Sequence, residues 1–353
     1  MKKLFTEFSI KNVKMKNRIC VPPMVVGFRD DGYVAFENVE RYKELAKGGA
    51  GLIIQEATCV NNDGKLSEKQ LGIWKDDQIE GLKSIVDAVH EESCPIFIQI
   101  HHAGVVGISG DPICPSPYEY KNYAGSVVGH EMTREDIKSI QKDYIEATRR
   151  AYEAGYDGVE LHGCHAYLIS QFLNKKVNKR TDEYGKNPEK FVVEIIDGIR
   201  KVTPKEFIVG IRLGGFEPAI EQGIHYAKVL EKNGIDFLDI SYGFMNEQEI
   251  HVDKEYKYSD AVYAAQKIKE VVSIPVFAVN GINSAELAEG ILNETNVDLV
   301  DIAKGFLINN NWANDAKQGK DTGKCLNCEK CMWFGQSKVC AGKVIFERNN
   351  TQK

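Results

Sequence analysis

The sequence predicts an α/β fold, a (β/α)8 TIM barrel with a short cysteine-rich C-terminal tail. Three observations predict it. Eight short β-rich runs alternate with stretches of helical periodicity. Nearly every run ends in a polar or glycine-bearing group. No Gly-x-Gly-x-x-Gly follows the first run, which argues against a doubly wound dinucleotide-binding sheet. Alternating strands and helices imply a parallel sheet, and eight units favour its closure into a barrel.

In order, the strand-like runs are Ile19–Met24, Gly51–Ala57, Ile96–His101, Gly158–Gly163, Ile208–Leu213, Phe237–Tyr242, Val276–Asn280 and Leu299–Lys304. The first ends at Pro22-Pro23, which cannot continue a ladder. The others are apolar, as strands buried on both faces must be. Helical stretches fall at Val39–Lys47, Asp77–Glu91, Thr133–Ala154, Pro188–Val202, Ile224–Asn233, Tyr258–Val272 and Ser284–Leu292. Gly48-Gly49, Gly155 and Asn233-Gly234 supply stop signals for three of them. The barrel is expected to occupy 1–320 and the tail 321–353.

Composition excludes several classes. At 353 residues with 43% hydrophobic content a large core is available. The net charge of −6 comes without a basic block, so nucleic acid is not an expected partner. No apolar run is long enough to span a membrane, and the charged start from Met1 to Arg18 lacks a signal-peptide core. The expected location is the cytoplasm. There Cys20, Cys59, Cys94, Cys114 and Cys164 are expected as buried thiols.

Barrel chemistry sits at the carboxyl ends of the strands. Those ends read Pro23-Met24, Ala57, Gln99 with His101-His102, His162 with His165 and Tyr167, Arg212, Ser241-Tyr242, Asn280-Gly281 and Lys304-Gly305. The segment His162-Gly-Cys-His165-Ala-Tyr167 is the most informative. Imidazoles can donate to a substrate oxygen, and a phenol can deliver a proton. Alone, the two histidines could be satisfied core residues, and Gln99 and Arg212 could pair with each other. Their strand-end places favour a functional reading. His101 and His102 are expected to have no catalytic role. Glycine beside backbone amides at the last two ends is a common phosphate cradle.

The order and spacing of several segments resemble the Old Yellow Enzyme family of flavin oxidoreductases. They include Lys16-Asn17-Arg18, Pro22-Pro23-Met24, Gln99-Ile100-His101-His102-Ala103-Gly104, Ala154-Gly155-Tyr156-Asp157-Gly158-Val159-Glu160-Leu161-His162, Arg180-Thr181-Asp182-Glu183-Tyr184-Gly185 and Gly210-Ile211-Arg212. The resemblance covers Lys16 to about Lys320. It implies FMN over the barrel mouth and NAD(P)H as the reductant. It places Pro23, Met24 and Ala57 against the isoalloxazine and Gln99 at its pyrimidine edge. Arg212 falls beside N1, and Asn280, Gly281, Ala303 and Lys304 fall at the phosphate. His162 and His165 would grip a carbonyl oxygen, and Tyr167 would protonate the carbon next to it. The implied substrate is an electron-poor alkene, an α,β-unsaturated carbonyl compound. The chain departs from the family's pattern at Val25, Val105, Asn280 and Lys304, the last replacing an arginine. The segments 105–130 and 243–258 are expected to roof the substrate.

The tail spacing Cys325-x-x-Cys328-x-x-Cys331, then Cys340, is a strong metal signal. Thiolates so spaced suit zinc or an iron–sulfur cluster. Larger relatives such as 2,4-dienoyl-CoA reductase and trimethylamine dehydrogenase carry the cysteines of a [4Fe–4S] cluster there. Two readings follow: a stand-alone ene-reductase, or a flavin and iron–sulfur electron-transfer enzyme working with a protein redox partner. The resemblance is also compatible with a homo-oligomer.

Overall fold

A computed structural model of the chain describes residues 2–122, 125–244, 247–331, 333 and 339–351. Eight parallel strands close into a barrel in chain order: β1 (Ile19–Val21), β2 (Leu52–Cys59), β3 (Ile96–His101), β4 (Gly158–Gly163), β5 (Ile208–Gly214), β6 (Phe237–Ser241), β7 (Val276–Ala278) and β8 (Leu299–Asp301). All eight predicted strands are present. β1 and β8 stop three residues early, β1 because Pro22 and Pro23 follow it, and β8 because Ala303–Ile308 already forms a helix. Lys304 therefore lies on a helix and not on a strand end.

The seven flanking helices run Phe36–Lys47, Ile79–His90, Arg134–Glu153, Lys190–Val202, Ile220–Lys232, Asp260–Lys269 and Ala285–Glu294. Side chains set several starts. Thr133 Oγ1 accepts from the Asp136 amide at 3.1 Å, and Asp136 Oδ2 accepts from the Thr133 amide at 2.8 Å, a capping box. Ser259 and Ser284 cap the last two, their side chains accepting from the Val262 and Leu287 amides.

Alternation along each strand sorts the interior into layers, because every second side chain points inward. The lowest is apolar. Phe237 stacks between Phe97 and Phe277, at 5.5 and 4.7 Å between ring centroids. Leu52, Ile208 and Leu299 complete it. An antiparallel hairpin, Phe8–Ile10 with Val13–Met15, adds Ile10, Val13 and Met15 to this cluster and plugs the barrel floor. Periodicity did not reveal this hairpin, because its strands are three residues each. The polar layers begin one side-chain step above.

A second small sheet, Ile113–Cys114, Tyr118–Asn122 and Gly125–Glu131, lies in the expected roof segment. Arg180 braces it, donating to the carbonyls of Pro115 at 2.9 Å and Met132 at 2.7 Å. Tyr118 hydroxyl donates to Glu247 at 2.9 Å, joining the two roof segments. No helix among the described residues is long and apolar enough to cross a membrane.

Candidate active site

His162, the fifth residue of β4, faces the barrel mouth. The chain then turns sharply, with His165 and Ala166 both left-handed at φ 60° and 64°. Two consecutive non-glycine residues in this region carry a conformational cost that the surroundings must sustain. The turn brings three rings together. His162 Nε2 lies 3.1 Å from His165 Nδ1, and His165 Nε2 lies 2.9 Å from Ser241 Oγ on β6. The Tyr167 ring stands edge-on to His162, at 4.6 Å between centroids.

His101, expected to have no catalytic role, packs against this cluster. Its Nδ1 lies 3.2 Å from His162 Nδ1, and its ring packs 4.4 Å from Tyr167. His102 does not; its Nδ1 accepts from the Gly104 amide at 3.0 Å. Burial pushes all four histidines down, His165 to about 3 and His102 to about 4. They are therefore neutral near pH 7. Burial raises Tyr167, keeping its phenol protonated. His162, Cys164 and His165 bring three ligand-type atoms within 4.8 Å of one another. Burial pushes the Cys164 thiol well up, which opposes a thiolate ligand.

Beneath the histidines, Gln99 and Arg212 do not pair with each other. Gln99 Nε2 donates to Glu160 at 2.7 Å. Arg212 Nε lies 3.1 Å from Asp239, and Nη2 lies 3.4 Å from Asp301. Burial by itself lowers Arg212, but Asp239, Glu160 and Asp301 outweigh it and hold the guanidinium charged. The three acids escaped the sequence reading. Their signal was present: a carboxylate inside each of three apolar strands, at an inward position of the two-residue alternation.

A cavity of about 500 Å³ opens beside this centre, and His165, Arg212, Asn280, Gly281, Ala303, Lys304 and Cys325 are among the residues lining it. Asn280 and Gly281 are both left-handed, at φ 78° and 76°, which turns this loop tightly at the cavity wall. A Cβ on Gly281 would meet only Ser259, at 3.8 Å, so that wall is open. Lys304 Nζ donates to Asn327 at 2.8 Å. Pro23, Met24, Ala57, Gln99, His162 and Tyr167 are not among its lining residues. Pro23 and Met24 are half-buried after β1. Ala57 is buried beside a register shift in β2, its carbonyl accepting from Gln70 at 2.8 Å. A larger cavity, about 750 Å³, lies against the roof sheet and the Arg134–Glu153 helix; it takes in His102 but none of the mouth cluster. The strand-end position favours the smaller one as the site.

The donor set fits a flat polar heterocycle carrying a phosphate. Gln99 turns its amide nitrogen to Glu160, which leaves its oxygen as an acceptor, and Arg212 supplies a buried guanidinium two strands away. His101 Nε2 is buried without a hydrogen-bond partner. Of the tail cysteines, Cys325 and Cys340 are half-buried, and Cys328 and Cys331 are exposed. Among the described residues, no three of these sulfurs lie within 4.8 Å of one another.

Residues 3–323 match the NADH:flavin oxidoreductase / NADH oxidase family. The chain belongs to that family. It is an Old Yellow Enzyme-type oxidoreductase, with FMN as cofactor and a nicotinamide nucleotide as reductant. It is 35% identical over 330 residues to an NADPH dehydrogenase of Bacillus velezensis, covering 91% of this chain and 96% of that one. It is 34% identical over 343 residues to an NADH oxidase of Thermoanaerobacter brockii, covering 92% of this chain but only 52% of that protein. The chain thus spans about half the length of that relative. The structure of an old yellow enzyme homologue from Zymomonas mobilis superposes with a TM-score of 0.80 at 27% identity, covering 92% of this chain and 95% of the other. All nine cysteines are free, and the five scattered ones are buried, as expected.

Proposed function

We propose that this protein is an ene-reductase, taking hydride from NAD(P)H and delivering it to the β-carbon of an α,β-unsaturated carbonyl compound. The observation that carries the reading is the His162–His165–Ser241 chain beside Tyr167, at the mouth of a barrel whose interior holds Arg212. FMN, when bound, supplies the store for the hydride between the two halves of the reaction. In this reading Gln99 and Arg212 hold its pyrimidine edge, and Asn280, Gly281, Ala303 and Lys304 hold its phosphate. Pro23, Met24 and Ala57 bound the ring. A fixed cation at that edge favours the negative charge of the reduced ring.

His162 and His165 donate to the carbonyl oxygen as neutral imidazoles. Ser241 orients His165 from behind. Tyr167 gives its proton to the α-carbon, and its burial keeps that proton in place until the alkene is aligned. The roof segments 105–130 and 243–258 then select the substrate, as surface loops commonly do. A cytoplasmic location suits the free thiols.

The test is stopped-flow on the two half-reactions. Anaerobic NAD(P)H should bleach the flavin, and an enone such as cyclohexenone should restore its colour. Bleaching without recovery for a panel of enones would sink the ene-reductase reading while leaving the flavin oxidoreductase intact.

A second reading has its own support. Cys325 lines the same cavity as Arg212 and Asn280, so a metal centre there would sit beside the flavin. In this reading Cys325, Cys328, Cys331 and Cys340 draw together around an iron–sulfur cluster, or around zinc, and a protein partner exchanges electrons with it. Iron and zinc assays on anaerobically purified protein separate the two metals. Absence of both leaves the tail as a structural element.

A further inference from the structure

The polar layer beneath the mouth holds one cation among three acids. Arg212 on β5 is flanked by Asp239 on β6 at 3.1 Å and Asp301 on β8 at 3.4 Å. Glu160 on β4 completes the set through Gln99 on β3. Cys20 on β1 faces Asp301 across the β8–β1 pairing. The three acids are at most 1% exposed, and the Phe97–Phe237–Phe277 layer seals them from below. Both Asp239 oxygens, Asp301 Oδ1 and Glu160 Oε2 lack well-formed hydrogen-bond partners. In this buried layer each uncompensated carboxylate is penalised heavily, and Arg212 is the cation that offsets it. Burial raises all three, and Arg212 opposes this at Asp239 more strongly than any other neighbour does.

We propose that Asp239, with Asp301 behind it, is a positioning residue that both aims the Arg212 guanidinium at the flavin and neutralises part of its charge, thereby holding the flavin's reduction potential down. The inference rests on the reading that FMN lies over Arg212. Reduction by two electrons and one proton leaves a negative charge on the ring edge. Arg212 must then serve that charge and the carboxylate beneath it together. A guanidinium freed of its carboxylate would favour the reduced ring more, and the potential would rise. The two carboxylates also flank the side chain from different strands, Asp239 as an ion pair near Nε and Asp301 as the acceptor of a hydrogen bond from Nη2.

The test measures the two-electron midpoint potential of bound FMN by spectroelectrochemistry, together with FMN affinity. Asp239→Asn and Asp301→Asn are near-isosteric, and the double variant removes both acids that contact the guanidinium directly. The double variant is expected to shift the reduced-to-oxidised ratio at fixed potential by about tenfold or more toward reduced, about 30 mV upward for a two-electron couple. The Asp239→Asn variant should move in the same direction by less, and Asp239→Glu should restore the wild-type potential. Should the double variant fail to hold FMN, Asp239→Asn alone carries the test. An unchanged or lowered potential in variants that retain FMN overturns the inference and leaves the FMN reading standing. Wild-type protein that neither contains nor binds FMN overturns the FMN reading, and the inference with it.

Discussion

His162 Nε2 and His165 Nδ1 lie 3.1 Å apart, each the other's hydrogen-bond partner. One of the two nitrogens must accept, so the free protein cannot present two N–H groups into the space between them. The other end of each ring decides what can change. His165 Nε2 meets Ser241 Oγ, which can donate or accept. His162 Nδ1 meets His101 Nδ1. A ligand oxygen that receives both histidines therefore requires His101 Nδ1–H to donate to His162, with His101 Nε2 as the buried unprotonated nitrogen. His101 then sets the tautomer of His162 in the complex.

From this, His101→Phe should weaken binding of a phenolic ligand about tenfold, roughly the worth of one lost hydrogen bond at a neutral site. Reduction of the flavin by NAD(P)H should stay within about twofold. Titration of the long-wavelength band that phenolates form over flavin checks it. Unchanged phenol affinity would return His101 to a purely structural role.

The Tyr167→Phe variant should slow alkene reduction by about 100- to 10,000-fold, the usual range for a lost proton donor. Flavin reduction should remain close to wild type. Stopped-flow traces of the two half-reactions decide it, and a parallel fall in both would assign the proton to another group.

Ser241→Ala removes the hydroxyl 2.9 Å from His165 Nε2 while leaving the imidazole in place. It should raise KM for an enone several-fold with a smaller effect on kcat, since it loosens orientation without removing the donor. Steady-state kinetics at saturating NAD(P)H read this directly.

Burial pushes His102 down to about 4. A histidine free in the unfolded chain titrates near 6.5. Between those values the unfolded state takes up a proton that the folded state refuses, so this residue makes the fold lose stability as pH falls. His102→Asn can still accept from the Gly104 amide and removes the titration. Relative to wild type, the variant should gain up to about 1.4 kcal/mol per pH unit below 6.5. Urea unfolding at pH 7.5, 6 and 5 measures the difference. A constant difference would show that His102 is not held neutral.

Phe237 stacks between Phe97 and Phe277 in the sealed lower layer. Phe237→Ala should cost about 3–5 kcal/mol in denaturant unfolding, the usual range for an emptied aromatic core site. A loss below about 1 kcal/mol would mean that the layer collapses around the vacancy.

The chain's local chemistry determined much by itself. Two-residue and 3.6-residue periodicities are properties of short stretches, so eight strands, their flanking helices and the polar strand ends were readable from the sequence. His162, His165 and Tyr167 were readable because they follow one strand within a few residues. The hairpin plug was not, because strands of three residues carry too short a period. Which polar residues meet was decided only by the tertiary structure. Gln99 pairs with Glu160 because β3 and β4 are in register there, and Arg212 sits level with Asp239 because β5 and β6 are. Asp301 reaches the same arginine across the closed barrel, 89 residues away in sequence. Register and closure are fixed by the whole set of strand pairings, and no local stretch encodes them.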